Sequence, residues 1–163
     1  MSDVHEPTTE QDRSADSCVF CRIVEGAAEA TRVYEDEHLL AFMDTNPVTP
    51  GHLLVVPKKH AAFLRYLPEP HGAGLFVVGQ RLATALVDSG LRCEGVNFFL
   101  ADGVAAGQEV FHVHLHVFPR FADDGFRLDA NWNDASRSDL EDAAKKVRVG
   151  LSHEHRADAP DEE

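Results

Sequence analysis

Apolar positions along the chain switch between two spacings. Val19, Phe20, Cys21, Ile23 and Val24, followed by Glu25 and Gly26, predict a short helix that stops at glycine. Residues 32–35 and 38–43 predict two strands joined by the polar turn Asp36-Glu37. Residues 44–51 hold two prolines and a glycine and predict a loop. Residues 52–57 are apolar and β-branched, so they predict a third strand, and residues 61–67 a short helical turn. Leu75, Val78, Leu82 and Leu86 recur at helical spacing and predict the longest helix over 70–89, ended by Gly90. Residues 95–100 and 110–119 predict two more strands around a small-residue loop, Asp102 to Gly107. Ser138-x-x-Glu141 marks the start of a final helix of about ten residues, as a capping box. Strands joined by hairpins, with helices gathered elsewhere, predict an α+β fold with a mostly antiparallel sheet.

Charge alters the boundaries of this picture. The net charge is −13. Residues 1–17 carry Asp3, Glu6, Glu10, Asp12 and Asp16 against Arg13. Residues 151–163 carry Glu154, Asp158, Asp161, Glu162 and Glu163 against Arg156. Both stretches are too poor in apolar residues to offset the entropy of ordering, so they are expected to be disordered tails flanking one domain over 18–150. The acidic balance argues against a nucleic-acid partner, whose phosphates need a basic surface. It leaves room for a small nucleotide. No apolar run approaches 18 residues, so no membrane span is expected, and the start of the chain does not read as a secretory signal. Three cysteines, two of them as Cys18-x-x-Cys21, point to a reduced, cytoplasmic protein. That pair suits either a zinc clip or a redox couple.

The most informative segment is Phe111-His112-Val113-His114-Leu115-His116-Val117-Phe118. On a strand, alternation puts the three imidazoles on one face and Val113, Leu115 and Val117 in the core. Three readings are open. The face is merely polar and solvated. Or His-x-His supplies two ligands of a catalytic zinc. Or one neutral imidazole is a nucleophile toward phosphorus and its neighbours help. The outer pair lies about 13 Å apart on a strand, too far for all three to share one zinc. The loop before the histidines, Gly103 to Gln108, offers backbone N–H groups, Gly107 included, and a side-chain amide for phosphate oxygens. His52, after Pro50-Gly51, opens a strand and is a further candidate.

These residues resemble the histidine triad (HIT) superfamily. Residues 112–118 fit its signature of histidines alternating with apolar residues. Cys18-Val19-Phe20-Cys21, Ala41-Phe42-Met43-Asp44, the stretch Pro50 to His60, and Ala106-Gly107-Gln108 are similar to family segments in the same order. The resemblance spans residues 17–122. It implies a HIT-like fold of about five strands with two main helices. It implies a nucleotide hydrolase that frees a nucleoside monophosphate, AMP first, from a phosphate, amine or similar leaving group. His114 would be the nucleophile, His116 and His52 would contact the phosphate and the departing atom, and Gln108 would hold a phosphate oxygen. Asp44 would take the ribose, and Val19, Phe20, Ile23, Ala28, Phe42 and Leu54 would line the base pocket. The triad's third member is His116 rather than Gln, which favours transfer to water.

The resemblance further implies a structural zinc on Cys18, Cys21, His60 and His112, and a homodimer. Family members usually carry Asn or Gln where this chain has Ala101. That departure keeps a second reading alive, a nucleotide-binding module with little catalysis. A zinc-dependent hydrolase is the third.

Overall fold

The computed structural model describes residues 14–157, with side chains through residue 152. The chain divides into two compact units, one ending at Phe126 and one beginning at Arg127. The first contains helix α1 (Val19–Val24), strands β1 (Arg32–Glu35), β2 (Leu39–Met43) and β3 (Leu53–Pro57), helix α2 (Glu69–Asp88), and strands β4 (Gly95–Phe99) and β5 (Leu115–Arg120). The five strands form one antiparallel sheet in the order β1-β2-β3-β5-β4.

Strands β2 and β3 are apolar at every position because both of their faces are covered. Leu39, Ala41, Leu53 and Val55 pack with Leu75, Val78, Leu82 and Leu86 of α2. Leu40, Phe42, Leu54 and Val56 pack with Phe20, Cys21 and Ile23 of α1. Gly79 lets α2 lie close to the sheet. A Cβ there would sit 3.1 Å from Leu115 and 3.2 Å from Phe98. Gly51 turns the chain into β3 at φ +102°, and a side chain would strike Leu91 at 2.9 Å.

One expected strand is shorter than its pattern. The stretch 110–119 forms a strand only from Leu115. The His112 N–H bonds back to the Val110 carbonyl and the Val113 N–H to the Ala61 carbonyl, so this backbone is spent outside the ladder. The alternation survives the correction, since Val113, Leu115 and Val117 all lie in the α2-side core.

The second unit holds helix α3 (Arg137–Ala157). It is 21 residues long, not about ten, and runs past the expected boundary at 150. Its cap is Ser136, not Ser138. The Asp139 N–H donates to Ser136 Oγ at 3.1 Å, and that hydroxyl donates to Asp139 Oδ2 at 2.6 Å. An Arg137–Glu141 pair at 2.6 Å supports the first turns. Of the two expected tails, residues 1–13 and 158–163 lie outside the described residues. Among the described residues, no helix is long and apolar enough to cross a membrane.

Candidate active site and metal centre

The loops around α1 and β3 bring Cys18, Cys21, His60 and His112 together, with all four ligand atoms within 4.8 Å of one another. Cys18 Sγ lies 3.5 Å from His112 Nδ1, Cys21 Sγ lies 3.3 Å from His60 Nδ1, and the two Nδ1 atoms are 3.2 Å apart. Zinc bonds of about 2.0–2.3 Å set ligand-to-ligand edges of about 3.3–3.8 Å in a tetrahedron, so the spacing fits. The proton arrangement fits too. His112 Nε2 donates to the Pro57 carbonyl at 2.8 Å, which leaves the Nδ1 lone pair facing the sulfurs. Burial holds His112 neutral by lowering its pKa to about 4. Burial and the neighbouring Cys18 push Cys21 up to about 12, so a thiolate pair here calls for a cation between the sulfurs. Four protein ligands close the set, as in structural sites.

Beside this cluster opens a cavity of about 480 Å³. Register explains its floor. Phe42 pairs with Leu54, Leu54 with His116, and His116 with Phe99, so these residues cross the sheet in one row. Val19, Phe20 and Ile23 of α1 form a wall, and Asp44, Gly107, His114 and His116 complete the lining used here. Seven of the eight residues expected at the nucleotide therefore meet in one hollow, and Ala28 is not on its lining. Phe20 stands edge-on to the rings of both His112 and His114, at 5.9 and 5.2 Å.

The histidines in and behind this cavity have assigned tautomers. His114 Nδ1 lies 2.7 Å from the His112 carbonyl and must donate to it. Burial lowers its pKa, so the ring is neutral and Nε2 is a bare lone pair. His52 is opposite in sense. The Val48 N–H donates to His52 Nδ1 at 3.1 Å, so the proton of the neutral ring is on Nε2. That Nε2–H donates to His116 Nδ1 at 2.9 Å, so the proton of the neutral His116 ring is on its Nε2. Burial lowers both, His116 to about 4. Asp44 Oδ2 lies 3.6 Å from His52 and 4.0 Å from His116, while its Oδ1 accepts the Asn46 N–H. Asp44, His52 and His116 thus have metal-like proximity. The Val48 bond nevertheless fixes a proton on the His52 nitrogen that a metal would need.

A family model described as HIT domain matches residues 25–123. The chain belongs to the HIT family. An uncharacterized HIT-like protein of Methanocaldococcus jannaschii is 40% identical over 131 residues, spanning 80% of this chain and 98% of that one. A zinc-bound histidine triad family protein from Mycobacterium smegmatis shares 43% identity at TM-score 0.67, over 89% of this chain and all of that one. A histidine triad nucleotide-binding protein from Candida albicans superposes at TM-score 0.76 with 27% identity, over 84% of this chain and 99% of that one. The HIT fold, with its five-stranded antiparallel sheet, is what the chain adopts.

Within this HIT frame two expected residues sit off the cavity wall. His52 is 3% exposed and works behind His116. Gln108 is also buried, and its amide is fully engaged: Oε1 accepts the Gly103 N–H, and Nε2 donates to the Ala62 and Val110 carbonyls. It holds the 103–107 loop in shape, where the sequence suggested a phosphate contact. Ala101 is buried, and two polar residues near it in sequence each bond a protein partner. Asp102 accepts the Leu64 N–H, and Asn97 accepts from Arg120. Sequence reading missed Glu29 and Glu109 on the cavity wall. Only the position of Glu109, between the loop and the triad, could have flagged it.

Proposed function

We propose that this protein is a nucleotidyl hydrolase that cleaves a nucleoside monophosphate, AMP first, from its leaving group through a nucleotidyl-His114 intermediate. One observation carries the reading: His114 presents a bare Nε2 in a nucleotide-sized cavity while its other nitrogen is tied to the His112 carbonyl. The attached proton on Nδ1 lets the carbonyl stabilise the positive ring that forms when Nε2 bonds to phosphorus. His116 is the matching donor. Its Nε2–H faces the charge that develops on a phosphate or departing atom, and His52 keeps that proton in place. Asp44 Oδ2 is available to accept ribose hydroxyl protons, and the apolar row around Phe20, Phe42 and Leu54 suits a purine base.

His60, His112 and the two cysteines would hold a zinc ion that fastens the start of α1 to the triad segment. When bound, zinc supplies rigidity there. We further propose a homodimer as the working assembly.

The test is His114→Gln against adenylylated substrates. Turnover is expected to collapse while AMP still binds by calorimetry, and mass spectrometry of the quenched wild type should find AMP on His114. Wild-type rates in the variant would reject the assignment. A binding module with weak catalysis is the second reading, favoured by Ala101 and the committed side chains of Asn97 and Asp102. Wild-type protein that binds AMP yet releases no product from any adenylylated substrate would favour it.

A further inference from the structure

Among the described residues, the cavity that would take an anionic nucleotide is lined by three carboxylates, Glu29, Asp44 and Glu109, and by no lysine or arginine. Two basic side chains of this unit are paired with a carboxylate outside that lining. The Arg32 guanidinium bonds Glu35 and the Ile23 carbonyl, and Lys58 pairs with Glu35 at 2.8 Å. The reacting phosphate can be met by imidazole and backbone N–H groups, but a longer phosphate chain would find acid where it needs cations. Glu109 is the carboxylate of this wall that lies three residues before His112, whereas Asp44 already faces His52 and His116. Glu109 is exposed, and its field reaches the His114 ring, as does that of Asp44. Its backbone is held on both sides, because Gln108 anchors to Gly103 and Ala62 and also bonds the Val110 carbonyl.

Resting on the nucleotidyl-hydrolase reading, we infer that Glu109 is a specificity-determining residue that selects leaving groups carrying positive charge, such as ammonium-bearing amines, over anionic ones. For a phosphoramidate the step is as follows. His114 Nε2 bonds to phosphorus as the P–N bond breaks. The departing nitrogen takes one proton from a water molecule, while the Nε2–H of His116 stays hydrogen-bonded at the phosphate. The hydroxide so formed adds to phosphorus as the P–Nε2 bond breaks, which returns His114 to its neutral form. One water is consumed for each AMP and amine released. Glu109 takes no proton in this sequence, and it acts through its charge on the departing chain.

The experiment compares kcat/KM for three adenosine phosphoramidates of matched length, made from 1,4-diaminobutane, pentylamine and 5-aminopentanoate. Their leaving groups end in an ammonium, a methyl and a carboxylate. The expected order is ammonium, then methyl, then carboxylate, with steps of about three- to tenfold, the scale of a single charge pair at a protein surface. The spread should shrink in high salt. Glu109→Gln should bring the three rates to within about twofold, and Glu109→Lys should reverse the order, on the same charge arithmetic. Equal rates in the wild type, or a spread that survives Glu109→Gln, would overturn the inference while leaving the hydrolase reading intact. No turnover of all three, with no AMP found on His114, would overturn both.

Discussion

Two histidine clusters grow from one short segment and are wired in opposite ways. At His60 and His112 the ring nitrogens that face each other are both Nδ1, 3.2 Å apart, beside two sulfurs. Lone pairs converge there, and a convergent set of lone pairs is a cation site. At His52 and His116 the facing nitrogens are Nε2 and Nδ1, 2.9 Å apart, with a donor aimed at an acceptor. That is a hydrogen-bond chain, and it ends in a proton offered to the cavity. The backbone decides between them. The Pro57 carbonyl takes the His112 proton away from its cluster, while the Val48 N–H forces the His52 proton toward His116. His114 lies between the two, with its own proton drawn off by a carbonyl. Residue type alone therefore does not separate a metal ligand from a proton donor; the partner of the far nitrogen does.

The comparison can be broken in stages. The largest effect is expected at His114. His114→Ala should lower kcat by about 10⁴-fold or more, the scale of losing a covalent nucleophile, with little change in AMP affinity. Single-turnover kinetics would check it. Next is the sulfur cluster. Cys21→Ser, or chelation, should cost about 3 kcal/mol and lower Tm by roughly 10 °C, because metal binding is coupled to folding. Calorimetry reads this, and the chemical step at low temperature should persist. If chelation stopped catalysis in fully folded protein, the division of labour would be wrong.

His52→Phe comes third. It keeps the buried ring but removes the donor to His116, so kcat should fall about 10–100-fold with KM nearly unchanged. Loss of folding instead would show that His52 is structural. The smallest effect is in the pH dependence of stability. His116 is held at about 4 in the folded protein against an ordinary 6.5, and His52 is lowered as well. Between those values the unfolded chain binds more protons, so stability rises with pH from about 4 to 6.5 and is lost on acidification through that window. Urea midpoints of His116→Asn should show a flatter slope than wild type there. An unchanged slope would mean that His116 keeps its ordinary pKa.

Much of this was legible in the residues. The helical spacing of Leu75, Val78, Leu82 and Leu86 located α2, and the Val113-Leu115-Val117 alternation located the buried side of the triad. Seven of the eight residues expected at the nucleotide share one cavity because the motifs that carry them also carry the strand register. Gln108 and His52 were harder. Both are polar residues in suggestive motifs, yet each turns its functional groups onto protein partners that are distant in sequence: Ala62 for Gln108, and His116 for His52. Glu109 was hidden by ordinariness, since a single acid has no pattern. The start of α3 was misplaced by two residues because neighbouring capping signals look alike in sequence, and only the Ser136–Asp139 bonds distinguish them; its length was misjudged because residues 151–157, poor in apolar side chains, read as tail.

By itself, the sequence determined the alternation of faces, the Cys18-x-x-Cys21 spacing and the chemistry available to three imidazoles. These are local properties, set by residue type and by the two- and 3.6-residue periods of backbone geometry. Tertiary structure decided which nitrogen of each imidazole holds its proton, which polar side chains reach the cavity, and how much acid rims it. Those depend on carbonyls and N–H groups brought in by distant loops, and a hydrogen bond acts only over the last three ångströms.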